Sequence, residues 1–301
     1  MASATTNAAK RKIVVAGGNG FLGSRICKYA ATRGWDVVSL SRSGEPVWSS
    51  VSSSPQPPPW SKDVHWIKAD ILKPASYVNH LEGTYAVVHT MGILLEADYK
   101  GVVSGKESPI SGLRRAFSST KKGSARNPLE RGEEKSSDEG IGIGEADGQI
   151  TYELMNRDSA LSLATEAQAQ GVPTFAYISA AAGAPILPTR YITTKREAES
   201  LLSTKFPQMR SLFFRPGFLY DSSRAFTIPI MAAGMVGNTV NEWLFRGALT
   251  RLVGAAVEKP LKADIVAEAV VEGIAEEEVS GVQQTRQIEA LAAKAWRRGM
   301  L

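Results

Sequence analysis

The feature that most constrains this chain is Ile13-Val-Val-Ala-Gly17-Gly-Asn19-Gly20-Phe21-Leu22-Gly23, an apolar run that passes directly into spaced glycines. Strand, glycine turn and helix in that order open a dinucleotide-binding βαβ unit. Gly17 permits the tight turn, Gly20 admits a pyrophosphate to backbone N–H groups, and Gly23 lets the helix close on the strand. Asn19, Phe21 and Leu22 fill the same turn and are expected at the cofactor with the glycines. The spacing is G-x-x-G-x-x-G, not the G-x-G-x-x-G of many dehydrogenases. Three glycines alone would suit a purely structural turn. The legible strand before them and helix after them favour the cofactor.

Strand and helix patterns alternate through the first two thirds of the 301 residues. Strands are expected at 12–16, 36–41, 65–69, 85–89, 174–179 and 210–215, each short, rich in Val, Ile, Phe or Tyr, and bounded by turn residues. Helices are expected at 21–33, 75–81, 151–170 and 191–206. Near-continuous apolar runs such as Tyr85-Ala-Val-Val-His89 belong to strands covered on both faces. The fold class is therefore α/β, a doubly wound Rossmann-type parallel sheet. Residues 1–11 read as a flexible or targeting N-terminus, 12–220 as the nucleotide-binding domain and 221–301 as a small C-terminal helical lobe for substrate or partner. Residues 100–149, dominated by Gly, Ser, Lys, Arg and Glu, have little to bury and read as a disordered insertion.

Composition narrows the class further. The net charge of +5 suits an anionic cofactor or an anionic membrane surface and does not call for nucleic acid. No uncharged apolar run reaches the roughly 18 residues of a membrane span. The single cysteine, Cys27, suits a reducing compartment and reads as a small buried hydrophobe. His65, His80 and His89 are scattered without acidic or cysteine companions, so no metal is expected. The small, hydroxylated, basic start of the chain reads equally as an organellar targeting segment or an ordinary N-terminus.

The chemistry is expected at Tyr191-Ile-Thr-Thr-Lys195, whose i,i+4 spacing puts phenol and ammonium on one helical face. A free tyrosine has a pKa of about 10, so a nearby Lys⁺ and a positive nicotinamide ring would help it work near neutrality. Lys195 can also hydrogen-bond the cofactor ribose. Ser179 ends a strand twelve residues upstream, where a hydroxyl can hold a substrate carbonyl.

These pieces, in this order, resemble the short-chain dehydrogenase/reductase superfamily. Asp70-Ile71 after the third strand matches the segment whose acid contacts adenine. Thr90 and Gly92, in His89-Thr-Met-Gly, match the segment beneath the cofactor. Asn156 matches the helical asparagine of the catalytic set, and Arg215-Pro216-Gly217 the turn bordering the nicotinamide. The resemblance implies Tyr191, Lys195, Ser179 and Asn156 as catalytic residues.

Ser41-Arg42-Ser-Gly, His89-Thr-Met-Gly-Ile-Leu-Leu-Glu, Tyr152-Glu-Leu-Met-Asn and Tyr191-Ile-Thr-Thr-Lys-Arg-Glu-Ala-Glu are closely similar to the atypical short-chain dehydrogenases of the fungal mitochondrial coenzyme Q biosynthetic complex. The nucleotide-binding accessory subunit of respiratory complex I is a more distant likeness. The resemblance implies a protein on the matrix side of the mitochondrial inner membrane that supports ubiquinone synthesis. Its partners would be other subunits of the complex and an apolar quinone-like molecule, with peripheral membrane contact.

The cofactor expected is NADP in preference to NAD. The second strand ends Val-Ser-Leu-Ser-Arg42-Ser-Gly, with no carboxylate for the ribose hydroxyls before Glu45. Arg42 and its serines can hold a 2′-phosphate through charge-assisted hydrogen bonds. Residues 241–257 read as an amphipathic helix, either a substrate wall or an interfacial membrane helix. Three functions follow: an NADP-dependent oxidoreductase acting on a quinone-ring intermediate, a catalytically silent nucleotide-binding assembly subunit, or a generic epimerase/dehydratase-like enzyme.

Overall fold

A computed structural model of the chain describes residues 10–92, 151–181, 189–221 and 259–300. β1 (Lys12–Ala16) leads through the glycine turn into α1 (Phe21–Thr32), followed by β2 (Asp36–Ser41), the short α2 (Trp48–Val51), β3 (Val64–Lys68) and β4 (Ala86–His89). The second half runs α3 (Ser159–Ala169), β5 (Thr174–Ile178), α4 (Thr189–Lys205) and β6 (Arg210–Phe214). After these come β7 (Leu219–Tyr220), β8 (Leu261–Lys262), α5 (Ala263–Ala275), β9 (Gly281–Gln283) and α6 (Thr285–Arg298). Seven of these strands form one parallel sheet in the order β3-β2-β1-β4-β5-β6-β9. The order reverses between β1 and β4, the switch point at which open α/β sheets take their ligands.

Strand alternation divides the core in two. Ile13 and Val15 of β1 join Val37, Val88, Ile178 and Phe214 on the face covered by α1, α5 and α6. Val14 and Ala16 join Val38, Val87, Phe175 and Phe213 beneath α3 and α4. Each strand thus feeds both cores, which is why the sequence shows continuous apolar runs instead of alternation.

Several expectations need correcting. Residues 75–81 are not one helix but two 3₁₀ turns, Pro74–Ser76 and Val78–His80, broken at Tyr77. Ser76 Oγ donates to the Asp70 and Lys73 carbonyls and accepts the Asp70 N–H, supplying locally the bonds a helix would supply. The helix expected over 151–170 starts with a π-helical segment, Glu153–Asp158, before α3. Nor do residues 259–300 stand apart as a lobe. β9 adds the seventh strand beside β6, and α5 packs on α1 and shares its core. The expected insertion at 100–149 and amphipathic helix at 241–257 lie outside the described residues. No helix among the described residues is long and apolar enough to cross a membrane.

Candidate active site

The glycine turn stands at the C-terminal end of β1. Gly17 has φ +79°, and a Cβ there would lie 2.7 Å from Thr90 Oγ1, so both conformation and space require glycine. Thr90 is pinned from the other side by its Oγ1–H donating to the Ala16 carbonyl at 2.8 Å. A Cβ on Gly23 would sit 2.1 Å from the Gly17 carbonyl oxygen, which is how closely α1 approaches the turn. α1 begins after Gly20 with no side-chain cap and no carboxylate in its first turn. A helix end of that kind is suited to an anionic pyrophosphate. Leu22 and Ile71 place their side chains in the core, and Phe21 lies under the Arg25 guanidinium at 4.4 Å. Asp70 Oδ1 accepts the Leu72 N–H at 3.1 Å. Cys27 is buried, and burial pushes its thiol pKa up, as a structural cysteine requires.

Past the switch point, the catalytic candidates gather at the ends of β4 and β5. Tyr191 lies in the first turn of α4 and Lys195 one turn later, both buried. Lys195 Nζ donates to the Ile178 carbonyl at 2.8 Å and stands 5.0 Å and 5.5 Å from the Tyr177 and Tyr191 ring centroids. Burial pulls its pKa down from 10.5 to about 7, with the Arg196 charge adding to the fall and Glu199 opposing it. Burial pushes the Tyr191 hydroxyl above its ordinary 10, so the chain alone holds it as a phenol. Help toward neutrality would therefore have to come from the bound nicotinamide ring, because the lysine alone does not lower this hydroxyl in the folded chain.

Asn156 sits in the π-helical segment and is fully buried. Its Nδ2 donates to Thr194 Oγ1 at 3.3 Å, and its backbone carbonyl accepts the Tyr177 hydroxyl at 2.6 Å. Its Oδ1 is buried without a hydrogen-bond partner. A Cβ on Gly92 would lie 3.6 Å from that oxygen and 3.8 Å from Lys195 Nζ. The structure thus brings Gly92, Asn156 and Lys195 around one point. An orphan acceptor beside an ammonium fits the hydroxyls of a nucleotide ribose. His89, buried and stacked on Tyr177 with 5.4 Å between ring centroids, bonds Ser159 Oγ at 2.9 Å. Burial, helped by the Lys195 charge, lowers its pKa to about 3, so it stays neutral.

Ser179 directly follows the end of β5. Its Oγ accepts a hydrogen bond from Arg196 Nη1 at 2.9 Å, and Arg196 also donates to the Ala180 carbonyl and Glu199 at 2.7 Å each. Glu199 in turn takes Arg215 on both carboxylate oxygens. The Ala181 N–H donates to the Pro216 carbonyl at 2.8 Å, which draws the Pro216-Gly217 turn to the end of β5. Arg196, Glu199, Tyr177 and the Tyr152 ring, 5.9 Å from Tyr191, have no role assigned from the sequence, although three of them fall inside motifs quoted for the family resemblance. Glu199 repeats the four-residue step of Tyr191 and Lys195 along α4, a spacing signal that could have found it.

Comparison with known proteins accords with this geometry. Residues 13–98 match the NAD dependent epimerase/dehydratase family. MIOREX complex component 2 of Saccharomyces cerevisiae is 35% identical over 92% of this chain and 98% of its own length. An uncharacterized chloroplastic protein of Arabidopsis thaliana is 27% identical over 94% of this chain and 78% of its own. Among solved structures, vestitone reductase from alfalfa (Medicago sativa) aligns with a TM-score of 0.50 at 15% identity, covering 91% of this chain and 76% of that one, a likeness of fold. With its glycine turn, switch-point sheet and near full-length match to the yeast protein, the chain belongs to the atypical short-chain dehydrogenase/reductase family that includes MIOREX complex component 2.

Proposed function

We propose that this chain is an NADP-dependent oxidoreductase that supports ubiquinone biosynthesis as a subunit of a mitochondrial complex on the matrix side of the inner membrane. The observation that carries the chemical part is the buried Tyr191–Lys195–Asn156 cluster, with a phenol held protonated and a lysine whose pKa lies at about 7. The yeast relative, named as a complex component, and the family resemblance support the cellular part.

NADP supplies or accepts hydride when bound. Gly17, Asn19, Gly20 and Gly23 would receive its pyrophosphate, Arg42 its 2′-phosphate, and Lys195 with Asn156 its nicotinamide ribose. Tyr191, held as a phenol, gives its proton to a substrate carbonyl oxygen in reduction; in oxidation it would take one from an alcohol only as the phenolate that Lys⁺ and a positive nicotinamide ring favour. Arg196 has only donors, so Ser179 accepts from it and its own O–H is left to point at a substrate oxygen. An apolar quinone-ring intermediate suits a site walled by tyrosines.

A second reading, a nucleotide-binding assembly subunit without turnover, is favoured by the yeast relative, which is named as a component of a complex. Complementation of a yeast strain lacking MIOREX complex component 2 separates the two. The wild-type chain is expected to restore ubiquinone, and Tyr191→Phe to leave it as low as in the empty strain. General acid/base catalysis contributes about 10²–10⁴ in rate. Full restoration by Tyr191→Phe but not by Gly20→Trp, which blocks the pyrophosphate turn, would establish the structural role. Restoration by both variants contradicts a nucleotide-dependent function.

A further inference from the structure

A second cation, Lys68 at the end of β3, lies beside the loop that follows β2. β2 and β3 are paired with Ser41 opposite Lys68, and the Ala69 N–H donates to the Ser41 carbonyl at 2.9 Å. Beyond β2 the chain turns sharply, with Ser41 Oγ donating to the Gly44 carbonyl at 2.8 Å and accepting its N–H at 3.0 Å. Arg42 and Ser43 form the exposed tip of this turn. Asn19 Nδ2 donates to Ser43 Oγ at 2.7 Å and so ties the tip to the pyrophosphate turn.

Gly44 has φ +78°, which favours glycine by itself. It has a second reason to be glycine. A Cβ there would lie 3.1 Å from Lys68 Cγ and 3.5 Å from Cε, so the lysine stem is laid over the bare backbone of the turn. The Lys68 ammonium consequently stands beside the loop that carries Arg42. The neighbouring acids are engaged elsewhere: Glu45 accepts the Trp48 indole N–H at 3.0 Å, and Asp70 caps the Leu72 N–H at 3.1 Å. Among the described residues neither Arg42 nor Lys68 has an ion-pair partner.

We propose that Lys68 and Arg42 form a two-cation clamp for the 2′-phosphate of NADP, with the Asn19–Ser43 hydrogen bond tying the Arg42 loop to the glycine turn and Gly44 the bare surface over which Lys68 reaches. The clamp rests on the reading that the site takes NADP. Its logic is that a phosphate close to a dianion gains a planar donor fork from Arg42 and a point charge from Lys68. Both side chains are exposed, which holds the contribution of each to about tenfold in affinity.

The test is the affinity of the whole chain for NADPH, NADH and 2′,5′-ADP, measured by calorimetry for wild type, Lys68→Met, Lys68→Arg and Arg42→Ala. Lys68→Met keeps the stem over Gly44 and removes only the charge. It is expected to weaken NADPH and 2′,5′-ADP about tenfold while NADH changes less than about twofold, and Lys68→Arg to restore most of the loss. A wild type that prefers NADPH, with the preference erased by Arg42→Ala and untouched by Lys68→Met, overturns the clamp and leaves the NADP reading standing. Equal loss of NADPH and NADH in Lys68→Met also overturns it, because that pattern marks a disturbed loop and not a lost phosphate contact. A wild type that binds NADH as tightly as NADPH overturns the NADP reading itself.

Discussion

The two ends of the sheet each hold a cation drawn in from solvent, and they treat it in opposite ways. At the N-terminal end of β6, Arg210 donates to the carbonyls of Gly273, Ile274, Glu276 and Val279 and to Thr174 Oγ1. These bonds close the C-terminus of α5 against β5 and β6, where a positive group also complements the helix dipole. At the C-terminal end of β5, Lys195 has one carbonyl, two tyrosine rings and an orphan asparagine oxygen for company. Arginine keeps its charge under nearly all conditions and can satisfy many acceptors, so it builds structure. Lysine gives up its proton when desolvated, so an under-bonded lysine is a chemical group. The comparison teaches that incomplete satisfaction, more than burial, distinguishes the end of the sheet at which we place the site.

The largest effect that would break the comparison is at Arg210. Arg210→Ala leaves several inward-facing carbonyls without donors and is expected to cost about 3–4 kcal/mol in urea unfolding. NADPH affinity of the folded protein is expected to stay the same. A loss under about 1 kcal/mol would show that the arginine is not what closes α5.

Next comes the pH dependence of Lys195. In the unfolded chain it holds its proton up to its ordinary 10.5, and in the folded chain only up to about 7. Between those values the unfolded state binds more protons, so wild-type stability rises with pH; below about 7 the burial penalty is fully present. Lys195→Met carries no such penalty. It is expected to be the more stable protein at slightly acid pH, the gap closing as the pH rises through the window. A gap independent of pH would contradict a depressed lysine.

The smallest effect sharpens the same contrast. Tyr177→Phe removes the hydroxyl that satisfies the Asn156 carbonyl and is expected to cost about 1–1.5 kcal/mol, read as a lower thermal midpoint. No loss would mean that the π-helical segment keeps Asn156 in place unaided.

Much of the fold was legible because its cause is local. β1, β2, β4, β5 and β6 carry short apolar runs, and the switch point follows from strand alternation and the glycine turn. The 75–81 segment was misread because Ser76 and Asp70 compete for backbone bonds, a choice that hydrophobic spacing does not register. Within the candidate site, the proximity of Tyr191 and Lys195 was visible from i,i+4 spacing. Arg196 was not, because its bond to Ser179 joins α4 to the end of β5 and depends on how the two elements dock. The π-helical turn that buries Asn156 was equally hidden, since residues 151–170 have the composition of an ordinary helix. Lys68 escaped notice because its stem rests on Gly44 of a neighbouring strand's loop.

The most direct measurement is the titration of lysine side chains in protein labelled with ¹³C at lysine Cε, followed by NMR from mildly acid to alkaline pH. One resonance is expected to titrate with a midpoint near 7, to vanish in Lys195→Met and to persist in Arg210→Ala protein that remains folded. If every lysine instead titrates near its ordinary value of 10.5, Lys195 is a solvated or fully paired cation, and the account of the C-terminal end of the sheet as the proton-transferring site is wrong.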